Sequence, residues 1–181
     1  MSNKMILWSM IIVPWLTVFF LNKEEVKRYM PVALLATMTS VVVMESGISL
    51  NLWHVRETIY PLRQIMPYSF GLVPVITIWL FKYTYEKFWL FMAVDSAFNI
   101  FFAFAFTPWL EIRGIKDLNT TTLTVLLITY ILAVLLYGYQ MWQEEALVSV
   151  ERHQFSPTLQ PAAKKNLSEN EDKRIENKDR K

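Results

Sequence analysis

Two carboxylate side chains, Glu45 and Asp95, lie inside long apolar segments of this 181-residue sequence. A charged side chain near the centre of a membrane-spanning helix costs about 2.5 to 3.5 kcal/mol on insertion scales, so it usually faces a protein interior or a water-filled cavity. There it can exchange a proton, bind an ion or hold part of a substrate. The alternative is structural: the two carboxylates are hydrogen-bonded between helices, or Glu45 lies near enough to the membrane interface to reach water.

Glu45 leads into the most polar stretch of the apolar region, which continues to Arg63. Ionisable groups that gather in one cavity can titrate abnormally, and such groups are typical of functional sites. The candidate functional polar site consists of Glu45, His54, Arg56, Glu57 and Arg63. The alternative interpretation is an ordinary solvated loop, anchored at the membrane interface by Trp53.

Asp95 begins a second polar feature, because Asp95, Ser96 and Asn99 form a stripe at helical spacing that Ala103 continues. Small residues let helices approach closely, and an asparagine can hydrogen-bond across the contact. The stripe therefore predicts an intramembrane polar seam where two helices pack. Lining a ligand site is the alternative.

Depth along the helices separates the two carboxylates. At ~1.5 Å per residue, Glu45 lies about 22 Å beyond Met30, whereas Asp95 lies about 10 Å beyond Phe88. The two helices that begin at Met30 and Phe88 are predicted to run in the same direction. We therefore expect Glu45 and Asp95 to occupy separate positions, not to share a proton.

Several classes of chemistry have no support in the sequence. It contains no cysteine, which excludes disulfides, thiolate metal sites and cysteine nucleophiles. His54 and Glu57 are three residues apart, but two ligands without a third do not define a metal site. With a net charge of +2 and bases interspersed with acids, nucleic acid is not an expected partner. We identify no cofactor signature and no catalytic motif.

Five apolar runs must position these side chains. Each contains roughly 17 to 24 residues, which matches a hydrocarbon core about 30 Å thick. Pro31 suits the first turn of the second run, since its missing N–H would be unpaired there anyway. The fold class predicted is all-α, a polytopic membrane helix bundle with five transmembrane helices at residues 5–21, 30–53, 64–81, 88–110 and 121–142.

The orientation is predicted from the basic residues of the loops, which favour the cytoplasmic side. One side of the predicted bundle carries Lys4, Arg56, Arg63, Arg113 and Lys116. The other side is the more basic and carries Lys23, Lys27, Arg28, Lys82, Lys87 and Arg152. We therefore expect the N-terminus outside the cell and the C-terminus in the cytoplasm.

The polar C-terminal region is expected to behave differently from the transmembrane domain, residues 1–145. Residues 146–181 begin as an extension of the fifth helix and then alternate acids and bases with few apolar side chains. Such a segment cannot bury enough apolar surface to offset the entropy of ordering, so a disordered cytoplasmic tail is predicted.

The chain also resembles a known family in its five short-looped spans, its Trp-rich turn before a proline-broken third span, and two phrases, Met44-Glu45-Ser46-Gly47 and Leu159-Gln160-Pro161-Ala162-Ala163. It resembles a family of small, uncharacterised multi-spanning membrane proteins of spore-forming bacteria, over most of its length. That resemblance implies a location and a fold, and it carries no activity. A fainter similarity is to membrane carotenoid cyclase domains, which use a Pro-x-Glu acidic motif where this chain has Pro67-Tyr68-Ser69-Phe70.

The main functional hypothesis is a non-enzymatic, multi-pass component of the plasma membrane. Its partners would be the lipid bilayer and a homo-oligomer or membrane partner subunit that buries Glu45 and Asp95. A second hypothesis is a small proton-coupled transporter that uses Glu45. A third is an intramembrane enzyme acting on an isoprenoid or lipid, with Glu45 as acid or base and Arg56 or Arg63 holding an anionic head group.

Overall fold

A computed structural model describes residues 2–62 and 65–155 of the chain, with side chains described up to residue 146. The chain divides into two units, Met1–Met141 and Trp142–Lys181, and all of the site geometry below belongs to the first unit. The predicted tail from residue 156 onward lies outside the described residues.

The described elements are mostly helical and follow one another with short connections. In chain order they are α1 (Asn3–Val18), α2 (Lys23–Ser49), β1 (Trp53–Val55), a 3₁₀ turn (Pro67–Ser69), α3 (Leu72–Thr84), α4 (Phe88–Phe101), a π-helical turn (Phe102–Phe106), α5 (Thr107–Ile112), β2 (Lys116–Leu118) and α6 (Thr122–Phe155).

Three helical segments are long and apolar enough to cross a membrane: Lys23–Ser49, Phe88–Ile112 and Thr122–Ala146. The middle segment joins α4, the π-helical turn and α5 into one continuous helix. Large apolar side chains such as Phe19, Ile112 and Leu123 are exposed on the helices and their ends. These features confirm the predicted helical class and are compatible with a membrane protein, since exposed apolar surface of this extent is unusual on a protein in water.

Two helices are shorter than a full crossing. α1 has 16 residues and α3 has 13. At ~1.5 Å per residue these helices extend about 24 and 20 Å, less than the ~30 Å hydrocarbon core. The third predicted span, 64–81, is shortened at its start because a 3₁₀ turn and Gly71 precede α3, while Gln64 lies outside the described residues.

The prediction that the second helix begins at Met30 is wrong. α2 begins seven residues earlier, at Lys23, and Asn22 and Glu25 form a capping box at its N-terminus. This reciprocal pairing satisfies backbone N–H groups that would otherwise lack partners. Pro31 consequently lies inside the helix, a position that membrane helices tolerate when neighbours compensate for the lost hydrogen bond.

The predicted end of that helix at Trp53 is also wrong, because α2 ends at Ser49. Asn51 has a positive φ of 60°, and its N–H donates to the carbonyl of Ile48. The N–H of Leu52 donates to the carbonyl of Gly47 at 2.8 Å. This pair of bonds is the Schellman arrangement, which stops a helix when one residue adopts the left-handed conformation.

A small antiparallel ribbon follows, which the all-α prediction did not include. β1 pairs with β2 in the register Trp53–Leu118, His54–Asp117 and Val55–Lys116. The N–H of Arg56 donates to the Ile115 carbonyl at 2.9 Å, extending the contact beyond the strands. The ribbon therefore fastens the loop after α2 to the loop before α6.

α1 is fixed against α3 and the turn before it by two indole hydrogen bonds. Trp15 Nε1 donates to the Phe70 carbonyl at 2.9 Å, and Trp79 Nε1 donates to Thr17 Oγ1 at 3.1 Å. A Cβ atom placed on Gly71 would lie 2.0 Å from the Met10 carbonyl oxygen. The backbones of α1 and the α3 N-terminus therefore approach each other as closely as only glycine allows.

α6 continues beyond residue 142, the predicted end of the fifth span, to Phe155, as expected of a tail that begins as an extension of this helix. Within the first unit it joins the bundle through an aromatic cluster. The ring of Tyr137 lies 5.0 Å from Phe88, 5.1 Å from Phe91 and 6.3 Å from Phe81, measured between centroids. Only 6% of the most apolar part of this helix is buried, so most of its side chains do not pack against the other described helices.

Candidate functional site

The residues of the predicted polar site do not contact one another through hydrogen bonds or ion pairs in the described structure, and they bind different partners instead. His54 and Arg56 are exposed on one face of the ribbon, where Arg56 forms an ion pair with Asp117. The Glu57 carboxylate instead accepts a hydrogen bond from Asn3 Nδ2 at 2.7 Å. Arg56 and Glu57 are therefore adjacent in sequence, but Arg56 pairs with a residue of β2 and Glu57 with a residue of α1.

Glu45 is partly buried near the end of α2, and it makes no hydrogen bond or ion pair within the described part of the chain. Arg63 lies outside the described residues. No hydrogen bond or ion pair among described groups joins Glu45 to His54, Arg56 or Glu57.

A cavity of about 390 Å³ lies among the helices of the first unit. Its walls come from α2, α3, the α4–α5 helix and α6, and the ribbon contributes Trp53, Lys116 and Leu118 to the lining. The lining is predominantly apolar. The side chains that the argument below uses are Trp53, Asp95, Asn99, Ala103, Thr107 and Lys116.

The cavity is elongated along the helices. Its lining on the α4–α5 helix extends from Asp95 to Thr107, or 12 residues, and on α6 from Thr122 to Leu136. At ~1.5 Å per residue these walls are about 18 and 21 Å long. Because Thr107 and Thr122 both lie near the ribbon in sequence, the ribbon marks one end of the cavity and Asp95 the other.

The Asp95 end contains the polar stripe recognised in the sequence. Asp95 Oδ2 accepts a hydrogen bond from Asn99 Nδ2 at 2.6 Å, and both residues line the cavity with Ala103. Ser96 instead donates to the Met92 carbonyl of its own helix at 2.5 Å. The stripe therefore faces open space along part of its length, as in the ligand-lining alternative.

The ribbon end contains a cation that the sequence did not single out. Lys116 is only 5% exposed although it lies in a short surface ribbon. Its Nζ atom is 5.2 Å from the centroid of the Trp53 ring, a cation–π contact. Within the described residues this ammonium group has no carboxylate partner.

Strand alternation places Lys116 in the cavity wall. Successive side chains of a strand point to opposite faces, so Lys116 and Leu118 face the cavity while Asp117 faces outward. The only signal in the sequence is the alternation Lys116-Asp117-Leu118, and three residues are too few to predict a strand whose partner is more than sixty residues away.

The Trp53 ring packs against the ammonium group of Lys116. It is 3% exposed, and its Nε1 donates to the Met44 carbonyl at 3.2 Å. A Cβ atom on Gly47 would lie 1.9 Å from the Trp53 ring, so the absence of a side chain at Gly47 makes room for the indole.

Two hydroxyl groups that line the cavity, those of Tyr68 and Ser40, have partners within the protein. Tyr68 donates to Met44 Sδ at 3.3 Å, and Ser40 donates to Ser69 Oγ at 3.1 Å. Among the described residues of the lining, Lys116 and Asp95 are the charged groups. The arrangement can hold an elongated apolar molecule that has a polar group at one end.

The described residues contain no group of three histidine, cysteine, aspartate or glutamate side chains placed to hold a metal ion. Comparison with protein-family models, with curated proteins and with solved structures found no match to this chain. The functional argument therefore depends on the geometry of the cavity.

Proposed function

We propose that this chain is a multi-pass protein of the cell membrane, and that it is a non-enzymatic component that binds a lipid-like molecule in the cavity beside α6. The observation that supports this most directly is the shape and chemistry of the cavity. It is predominantly apolar, its walls are about 18 to 21 Å long, and its charged groups lie toward opposite ends. One membrane leaflet contributes about half of the ~30 Å hydrocarbon core, so the cavity has the length of a single acyl chain.

The proposed membrane topology has five crossings, with α1 and α3 as the two short ones. Their lengths are compatible with crossing if the bilayer thins locally or flanking residues extend to the interface, which costs fractions of a kcal/mol per Å of mismatch. The basic residues around Lys23, Arg28 and Lys82 support a cytoplasmic position for that end of the bundle. The ribbon end would then face outward.

This topology is testable because the chain has no native cysteine. We expect Tyr60→Cys, at a position that is 92% exposed near the ribbon, to react with a membrane-impermeant maleimide in intact cells. Glu24→Cys, exposed in the first turn of α2, should react only after the cells are permeabilised. Replacing an acid leaves the basic residues that determine orientation unchanged. The reverse labelling pattern would contradict the proposed orientation.

Ligand binding is testable by filling the cavity. Ala103 is buried and lines the cavity, whereas Ala105 in the same π-helical turn is exposed and does not. We expect Ala103→Phe to reduce the affinity for a fluorescent single-chain amphiphile about tenfold or more, because the added ring occupies the space of the ligand. Ala105→Phe is the matched control and should bind as the wild type does.

Binding would be measured by fluorescence titration of the purified protein in phosphatidylcholine nanodiscs. The thermal unfolding midpoint of each variant would show that the fold is retained. If Ala103→Phe and Ala105→Phe bind the amphiphile equally well, the cavity is not the binding site. If the wild-type protein does not bind such molecules at all, the proposed function is wrong.

One observation favours a carrier as a second candidate function. Asp95 is a carboxylate in the cavity wall, where a proton acceptor of a coupled transporter would lie. Glu45, the residue first considered for that role, is absent from the lining. A carrier therefore predicts that proton-dependent uptake into proteoliposomes is lost in Asp95→Asn and retained in Glu45→Gln. The enzyme alternative gains no support, since it assigns the acid or base to Glu45, and neither Glu45 nor Arg56 lines the cavity.

A further inference from the structure

We infer that the molecule bound in the cavity is a single-chain amphiphile with an anionic head group, a carboxylate or a phosphate, and that Lys116 binds this head group at the ribbon end. The inference rests on the proposed function and names the class of ligand. Its physical basis is a buried cation that has a cation–π contact but no carboxylate partner among the described residues.

Within the described part of the chain, Lys116 is unusual because no ion pair offsets its burial. An ammonium group removed from water is costly unless it is paired with an anion and hydrogen-bonded. The Trp53 ring supplies a cation–π contact at 5.2 Å, which compensates only part of that cost. Since Lys116 lines the cavity, an anion in the cavity can reach it directly.

The acids of the same region are engaged elsewhere. Asp117 faces the opposite side of the ribbon and pairs with Arg56. Glu111 Oε1 accepts a hydrogen bond from the Leu118 backbone N–H at 2.9 Å. Glu57 accepts from Asn3 at 2.7 Å. The carboxylates closest to Lys116 in sequence and in the ribbon thus have other partners, which leaves the position beside its ammonium group for a ligand.

The two charges of the lining also determine the direction in which the ligand lies. Asp95 lies about 18 Å along the helix from Thr107, near the opposite end of the cavity. An anionic head is attracted to Lys116 and repelled by Asp95, so the head binds at the ribbon and the chain extends toward Asp95. A cationic amphiphile would favour the reverse direction.

The size of the cavity favours one chain. Its volume of about 390 Å³ is toward the lower end of the range of about 300 to 1,000 Å³ for ligand pockets. A fatty acid and a lysophospholipid with a terminal phosphate share the recognised chemistry, which is one apolar chain with an oxyanion at its end. They are therefore tested as separate arms of one experiment.

The experiment measures equilibrium binding of palmitate, palmitoyl lysophosphatidate and hexadecanol to the full chain in phosphatidylcholine nanodiscs. We expect at least one anionic ligand to bind about tenfold more tightly than hexadecanol, since hydrogen bonds to charged groups contribute at about this level. Lys116→Met should remove this preference while hexadecanol affinity changes little. Preference for palmitate alone identifies the carboxylate as the ligand chemistry, and preference for lysophosphatidate alone identifies the phosphate.

Two variants control for indirect effects. Lys116→Arg retains the charge and should retain the preference for anions, which keeps the test decisive if Lys116→Met does not fold. Lys87→Met removes an exposed cation between α3 and α4 and should bind as the wild type does.

The outcomes separate this inference from the function on which it rests. If hexadecanol and both anions bind the wild type with equal affinity, the cavity binds lipid-like molecules but Lys116 does not select an anion, and the inference is overturned. If none of the three binds, the proposed function is overturned as well. If Lys87→Met lowers anion binding as much as Lys116→Met does, the effect is one of overall charge, which also overturns the inference.

Discussion

Gly71→Ala is expected to destabilise the protein by about 3 kcal/mol or more, at or above the upper end of the usual effect of overpacking. The added methyl group would lie 2.0 Å from the Met10 carbonyl oxygen and 2.7 Å from the Ile11 Cα atom. Both are backbone atoms of α1, so no change of side-chain rotamer can relieve the clash. α1 must instead move away from α3, which strains the hydrogen bonds from Trp15 and Trp79.

The measurement is the midpoint of thermal unfolding in detergent micelles. Gly138→Ala is the matched control, because a Cβ atom at Gly138 meets nothing within 4 Å. Alanine favours helix more than glycine by about 1 kcal/mol, so the control should be unchanged or slightly more stable. Equal midpoints for the two variants would show that α1 does not pack against the N-terminus of α3 as described.

Trp53→Ala is expected to cost about 3 to 5 kcal/mol, the usual range for a buried large aromatic residue replaced by alanine. The substitution removes a ring that fills the space above Gly47, its hydrogen bond to the Met44 carbonyl and its contact with Lys116. The ribbon end of the cavity should loosen, so binding of an anionic amphiphile should weaken together with stability.

Trp89→Ala serves as the control, because Trp89 is 83% exposed in the first turn of α4. Its thermal midpoint in micelles should change by much less than that of Trp53→Ala. Trp53→Phe retains an aromatic face for Lys116 but lacks the indole N–H. We expect its thermal midpoint to lie between those of Trp53→Ala and Trp89→Ala. A Trp53→Ala protein as stable as Trp89→Ala would mean that the ribbon contributes little to the fold.

The long apolar helices could be predicted from the sequence because hydrophobic length is a local property. The start of the fourth predicted span at Phe88 coincides with the start of α4, and the fifth, predicted from residue 121, begins at Thr122 in the structure. Both starts follow polar or charged residues that mark the boundary clearly. No distant contact is needed to place them.

The boundaries of α2 could have been predicted better, since their signals are also local. Asn22 and Glu25 have the spacing of a capping box, whereas Pro31 favours a helix start at Met30 because proline is usually unfavourable inside a helix. At the other end, Asn51 is a residue type that adopts a positive φ readily, and the Schellman arrangement follows from it.

The site was only partly predictable because its cationic end depends on long-range pairing. Asp95 and Asn99 were recognised from spacing on one helix, and they do line the cavity. Lys116 becomes part of the lining only when β2 pairs with β1 and turns alternate side chains inward. The position of Glu45 inside an apolar run predicts a functional carboxylate, but the spacing along one helix does not show which of its faces meets open space.

The pairing of β1 with β2 has a consequence for the order of biogenesis. Residues 53 to 55 leave the ribosome long before residues 116 to 118, with α3, α4 and α5 synthesised between them. Closing such a long loop has an entropic cost that only later contacts repay. The ribbon therefore forms only after residues 116 to 118 have been synthesised, and the cavity lacks its ribbon end until α1 to α5 are complete.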